Sequence, residues 1–246
     1  MKVLSINEKD ITEKEIARLM KTQVGRPFLQ LLIRRYAIGK MAGERNIEVT
    51  DDELQESFDL FRKQNGLFMA SETEKWLQEH GLTLDDIECE LILMLLEKKL
   101  MEAYSQKTVG QFFIETKTGM DAVELYTLTA ADREVAMELL AQAEEGEAEF
   151  IVLADKYSID ENARRGGYAG FFRRHELRSD MSAAAFGAKP GEIVGPFQTD
   201  QGFVLLKIRA VCPAVLDSRT EPEIRRNILK NDLAQETQKI KIFWQV

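Results

Sequence analysis

"SIDENARRGGYAGFFRR", Ser158 to Arg174, is the stretch on which the reading of this chain turns. Gly166, Gly167 and Gly170 fall where the backbone must bend without a side chain, so at least one of Gly166 and Gly167 is expected at positive φ. Phe171 and Phe172 then return the chain to an apolar setting. Upstream, "AEFIVLADKYS" spaces Phe150, Leu153, Ala154 and Tyr157 as one helical face. Before it, "AADREVAMELLAQAEEG" is an amphipathic helix closed by Gly146, and "AVELYTLT" carries the β-branched, aromatic alternation of a strand. Downstream come a short helix at "SAAAFGA", a Pro-Gly turn, a strand around Ile193 to Phe197, a tight turn at Asp200–Gly202 and a strand to Val211. Strand, two helices, loop and strand, short helix, strand and strand make a compact α+β unit with helices packed on an antiparallel-rich sheet.

The rest of the chain reads as helix. "DITEKEIARLM" offers a capping box of Thr12 with Glu15, and "EVTDDELQESFDLFRKQNG" offers Thr50 with Glu53 and a stop at Asn65-Gly66. "RPFLQLLIRRYAIGKMAGERN" is apolar on a broad face, so burial is expected for it. "SETEKWLQEHG" and "TLDDIECELILMLLEKKLMEAYSQ" each open on Ser or Thr with acidic residues in the first turn. The last segment places Ile224, Ile228, Leu229 and Leu233 on one stripe and ends in an apolar tip of Ile240, Ile242, Phe243 and Trp244, which is expected to be buried. The domain expectation is a helical module over 1–118, an α+β domain over 119–212, and a C-terminal segment over 213–246 that completes the helical module.

Composition narrows the function classes. The chain has 246 residues, 44% hydrophobic and 30% charged, with a net charge of −9, which argues against a groove built on phosphate neutralisation. Cys89 and Cys212 are far apart and indicate no disulfide framework; Cys89, on an apolar-periodic helix, is read as a small core hydrophobe. His80 and His175 form no zinc-like spacing with them, and no nucleotide-binding loop or EF-hand loop is present, so the expected chemistry uses no metal and no cofactor. The charged stretch "MKVLSINEKDITEKEI" has no apolar core and points to a cytoplasmic protein without membrane insertion.

With these elements in order, "AEFIVLADKYSIDENARRGGYAGFFRRHEL" followed by "AAAFGAKPGEIVGPFQTDQGFVLLKI" resembles the parvulin (rotamase) domain of peptidyl-prolyl isomerases, over roughly Val123 to Val211. The helical first third and last helix are similar in layout to SurA- and PrsA-type foldases, whose terminal segments form a chaperone module. The resemblance implies a four-stranded antiparallel-rich sheet and a proline pocket beside an acidic residue at the Asp160 position. It places Leu177, Met181 and Phe186 on the pocket, with Thr199 and Gln201 at its rim. From the residues alone, Asp160 is equally a turn cap through an Asx-type hydrogen bond, and the three apolar residues are equally core.

The chain departs from the family at the sheet centre, where parvulins commonly carry two histidines. Val204 stands at the last-strand position, and Tyr126 or Thr127 at the first-strand one. The resemblance therefore implies an isomerase that binds extended proline-containing peptides and turns them over weakly. Its catalytic candidates are Asp160, Tyr126 and Thr199, and its substrate-binding candidates Leu177, Met181, Phe186, Val204 and Gln201. The competing expectation is a non-catalytic peptide-binding chaperone or accessory protein that matures or exports a dedicated client. Arg164, Arg165, Arg173 and Arg174 flank the loop but lie elsewhere than the basic residues of phosphate-directed parvulins, so no phosphate preference is carried over.

Overall fold

The structure is a computed structural model that describes residues 2–6 and 9–244. In chain order the elements are β1 (Lys2–Ile6), β2 (Lys9–Thr12), α1 (Glu13–Met20), α2 (Arg26–Glu44), α3 (Asp51–Gln64), α4 (Ala70–His80), α5 (Leu84–Glu102) and α6 (Gln106–Met120). They continue with β3 (Ala122–Ala130), α7 (Arg133–Glu144), α8 (Phe150–Tyr157), β4 (Tyr168–Arg173), α9 (Ser179–Gly187), β5 (Ile193–Thr199), β6 (Gly202–Cys212) and α10 (Glu221–Lys239). Two compact units result, one formed by the chain up to Val109 together with the chain from Glu221, the other by Gly110–Thr220. The division falls inside α6, whose second half brings the buried Phe113 to the sheet-bearing unit.

In the helical unit, α10 packs on α2 and α5. Ile224, Ile228, Leu229 and Leu233 of α10 are buried, as are Ala37, Ile38 and Met41 of α2 and Leu100 of α5. Polar ties add to the apolar contact. The Arg225 guanidinium donates to the carbonyls of Met101 (2.9 Å), in the last turn of α5, and Tyr104 (2.6 Å), just past its end. The Tyr104 hydroxyl donates to Asp232 at 2.7 Å, and Arg45 donates to the same carboxylate at 3.0 Å. The threonine caps form as the spacing predicts, with Glu15 and Glu53 closing the boxes on Thr12 and Thr50.

Several local expectations need correction, beginning with the burial expected for α2, whose first half leaves Phe28, Leu31, Leu32 and Tyr36 exposed and only Ala37, Ile38, Met41 and Ala42 buried. A short antiparallel β1–β2 hairpin precedes α1, where no strand was read. Helix α4 opens at Ala70 rather than at Ser71, with the Met69 N–H donating to the Glu72 carboxylate at 2.7 Å. The apolar tip is not buried: α10 ends at Lys239, Phe243 is 80% exposed, and Trp244 meets the Lys21 ammonium at 4.8 Å. The upstream stripe already supplies the burial that holds α10, so the helix does not depend on its tip. Cys89, too, is exposed rather than a core residue.

The second unit is an antiparallel four-stranded sheet in the order β4-β3-β6-β5. Alternation along β3 and β6 gives the sheet two unlike faces. On one face Leu128, Ala130 and Leu205 pack with Ala136 and Leu139 of α7 and Phe150, Leu153 and Ala154 of α8. On the other Val123, Leu125, Leu206 and Ile208 pack with Met181 and Ala185 of α9. A bulge in each pairing of β3 breaks the register near its first half, at Leu125/Tyr126 against β4 and Glu124/Leu125 against β6.

The loop between α8 and β4 is drawn onto β3. Gly166, Gly167 and Gly170 all have positive φ, at 62°, 80° and 99°. At Gly167 the constraint is steric as well: a Cβ there would lie 2.3 Å from the Thr127 carbonyl oxygen and 2.9 Å from the Ala154 methyl. That closeness lets the Thr127 N–H donate to the Gly167 carbonyl at 2.7 Å. Gly167→Ala is therefore expected to cost about 2 kcal/mol or more, from strain at positive φ and overpacking together. Gly170→Ala, with no atom near its Cβ position, should cost about 1 kcal/mol. Urea unfolding of the two variants checks the order.

Burial, then the hydrogen bond to Asp232, pushes the Tyr104 phenol up to about 12. Its folded value lies above the unfolded one of about 10, so its contribution is intact below pH ~10 and lost as pH rises toward ~12. Alkaline urea melts should show this loss in the wild type, and Tyr104→Phe should remove it.

Candidate functional site

The α9 face of the sheet does not stay covered along its whole length. Beyond α9 it opens into a cleft of about 750 Å³. Leu125, Leu177, Met181, Val204, Leu206 and Phe172 make its apolar side, and Thr127, Thr129, Asp160, Glu161, Asn162 and Gln201 its polar side, with Ile159 completing the wall.

The polar side is one connected array. Thr127 and Thr129 are two apart on β3, so both hydroxyls project from the same face, and both donate to Asp160 Oδ2, at 2.9 and 3.0 Å. Asp160 Oδ1 accepts the Asn162 N–H at 2.9 Å, the Asx turn that the aspartate's own sequence position favours. The Asn162 amide in turn donates to Thr127 Oγ1 at 3.2 Å and accepts from Arg165 at 2.7 Å. Two backbone ties hold the loop's entry to the same strand: the Thr129 N–H donates to Ser158 Oγ and the Ile159 N–H to the Thr129 carbonyl, both at 2.9 Å. Asp160 is thus both a turn cap and a cleft carboxylate, and the two roles use different oxygens.

Of the residues singled out from the sequence, Asp160, Leu177, Met181, Val204 and Gln201 come together in the cleft. Three lie elsewhere. Tyr126 faces the opposite side of the sheet, against the α7–α8 core, with its ring edge-on to Tyr168 at 5.4 Å. Of the two residues considered at the first-strand position, it is Thr127 that reaches the cleft. Thr199 holds the β5–β6 turn, its hydroxyl donating to the Gly202 carbonyl at 3.0 Å and accepting the Gln201 N–H at 3.3 Å. Phe186 packs into the core beneath α9 with the Arg174 guanidinium 4.0 Å from its ring centroid. His175 and the flanking arginines do not line the cleft. Among the described residues no group of three or more His, Cys, Asp or Glu is placed to hold a metal.

Thr129, Asn162 and Glu161 were not anticipated. The signal for Thr129 was present in "YTLTA": once Tyr126 and Leu128 face the helices, Thr127 and Thr129 must share the other face. Nothing in the sequence marks Thr129 as a partner of a carboxylate 31 residues away.

Comparison with known proteins agrees with this geometry. Residues 113–210 match the rotamase family, the PPIC-type PPIASE domain. The chain is 26% identical over 215 residues to the foldase protein PrsA of Halalkalibacterium halodurans, covering 84% of this chain and 64% of that protein. It is 26% identical over 241 residues to the foldase protein PrsA of Geobacillus kaustophilus, covering 95% and 79%. The solved peptidylprolyl isomerase PrsA from Bacillus cereus matches in fold with a TM-score of 0.52 at 16% identity, covering 100% of this chain and 95% of that one. The α+β unit is therefore a parvulin-type rotamase domain. The chain as a whole has a PrsA-like architecture, with helical segments before and after that domain in sequence, though it spans less than two thirds of the Halalkalibacterium relative. No helix among the described residues is long and apolar enough to cross a membrane.

The threonine–aspartate array is testable by itself. Thr129→Val keeps the shape and removes one donor from a half-buried carboxylate, so it should destabilise the domain by about 1–2 kcal/mol, while Thr129→Ser should be near neutral. Combined with Asp160→Ala, the Thr129→Val cost should largely vanish, because the two share one interaction. A urea double-mutant cycle measures this.

Proposed function

We propose that this protein is a parvulin-like peptidyl-prolyl isomerase and foldase whose cleft binds extended proline-containing polypeptide. One observation carries the reading: an apolar wall of Leu177, Met181, Val204 and Leu206 faces, across a single cleft, a carboxylate held by two threonine hydroxyls. The wall seats the prolyl ring. The carboxylate stands beside the X-Pro amide.

Planar amide resonance puts partial negative charge on the carbonyl oxygen, and twisting the C–N bond removes part of it. A fixed anion near that oxygen therefore disfavours the planar form more than the twisted one. The barrier is about 18–20 kcal/mol, and a differential effect of about 4 kcal/mol accelerates rotation roughly a thousandfold. Because Asp160 is already tied by three donors, its charge needs no reorganisation when the amide twists. No cofactor takes part in such a step, since no bond is made or broken.

Thr127 and Val204 where parvulins commonly carry histidines favour weak turnover, and they support a second reading in which the domain holds client peptide without isomerising it. A protease-coupled isomerisation assay on X-Pro tetrapeptides, run beside a peptide-binding measurement, separates the two. We expect Asp160→Ala to lower kcat by about tenfold or more with little change in KM. We expect Met181→Ala to weaken binding by about tenfold or more through lost apolar contact. Equal rates for Asp160→Ala and wild type would reduce the carboxylate to a turn cap. Unchanged affinity in Met181→Ala would remove the apolar wall as the proline seat. A cytoplasmic setting is part of the same proposal and is checked by cell fractionation.

A further inference from the structure

Every charged side chain that lines the cleft is acidic. Asp160 and Glu161 are its only ionisable residues, and no Lys, Arg or His contributes to the wall. The two carboxylates are not equivalent. Asp160 is committed on both oxygens to Thr127, Thr129 and Asn162. Glu161 is exposed and makes no hydrogen bond or ion pair among the described residues.

The basic residues nearby lie outside the cleft lining, where Arg164 and Arg165 keep their charge. Arg165 donates to the Asn162 side chain at 2.7 Å. Arg178 is clamped two-pronged by Asp180, both contacts at 2.6 Å, and donates to the Gln198 carbonyl at 2.6 Å. The same clamp holds the Asp180 carboxyl down to about 2, so the ion pair with Arg178 is formed across the working pH range. Arg164 is exposed and lies outside the cleft lining. Asp200, in the turn beside the cleft residue Gln201, adds a further negative charge close by.

We infer that this cleft selects X-Pro segments carrying a cationic residue next to the proline and rejects acidic or phosphorylated ones, with Glu161 as the specificity-determining residue. The inference rests on the peptide-binding reading above. A lysine or arginine beside a seated proline is within reach of an unpartnered carboxylate, with the fixed Asp160 charge adding to the field. A phosphoserine there would bring about −1.5 to −2 charge against both. Glu161 is exposed, so the gain is that of a solvent-screened pair, about three- to fivefold in affinity, and it must weaken with salt.

The test uses the full chain and four peptides, Ala-X-Pro-Phe with X as Lys, Ala, Glu or phosphoserine. Dissociation constants come from amide chemical shifts of the cleft residues at low salt and at about 0.5 M salt. The Lys peptide should bind about three- to fivefold more tightly than the Ala peptide at low salt, with the preference shrinking at high salt. The Glu and phosphoserine peptides should bind more weakly than Ala. In Glu161→Lys the order of the Lys and Glu peptides should reverse. Equal binding of the Lys and Ala peptides at low salt, or a Glu161→Lys variant with the wild-type order, overturns the specificity while leaving peptide binding standing. Failure of all four peptides to bind is a different result, and it removes the peptide-binding reading together with this one.

Discussion

The carboxylate of Asp160, shared between two threonine hydroxyls on β3 and a backbone N–H of its own loop, is the interaction on which the rest of the rotamase domain depends. A glycine-rich loop has much conformational freedom to lose and little apolar surface to bury in return. It is ordered here because its polar groups find partners on one strand. The Thr127 N–H meets the Gly167 carbonyl, and the Thr129 N–H meets the Ser158 hydroxyl. The loop can approach this closely only because Gly167 has no Cβ. Sheet, loop and cleft are consequences of the same contact: the strand that anchors the loop also presents the hydroxyls that fix the carboxylate.

The two faces of the sheet divide the work. Leu128 and Leu205 spend one face on α7 and α8, which leaves nothing there for a ligand. On the other face α9 covers only part of the strands, and the uncovered remainder is the cleft. Met181 belongs to both, buried in the α9 core and exposed along one edge to the cleft. The apolar seat is therefore an extension of the hydrophobic core, and its shape is set by the packing that stabilises the domain.

In the helical unit, stability rests on α10, whose apolar stripe packs on α2 and α5 and whose Arg225 completes the end of α5. The buried glutamate of α10, Glu236, is compensated by Lys40 of α2 and Lys239 of α10. A buried carboxylate without such partners would be costly, so the two lysines belong to the fold as much as the leucines do.

Much of this was determined by local chemistry and could be read directly. The capping threonines, the stripe on α10, the strand alternation of "AVELYTLT" and the positive-φ glycines depend on near neighbours in the chain. The cleft's apolar members Leu177 and Met181 were singled out by the resemblance to the parvulin family, since local pattern reads them equally as core. What the sequence left open lay between distant segments. Asp160 had two roles available, and only the fold brought Thr127 and Thr129 to one oxygen and Asn162 to the other, so that both are filled. Tyr126 and Thr127 were indistinguishable candidates until the sheet had a helix-covered face and a cleft face, because alternation tells which residues share a side without telling which side is which. Phe186, apolar like Met181 and five residues further along α9, packs half-buried at the edge of the core, while Met181 reaches both core and cleft, a difference set by how the short helix sits on the sheet. Phe243 stayed in solvent, beyond the end of α10 at Lys239. Local pattern fixes what a segment can form; which face meets a partner is decided by contacts that only the folded chain brings together.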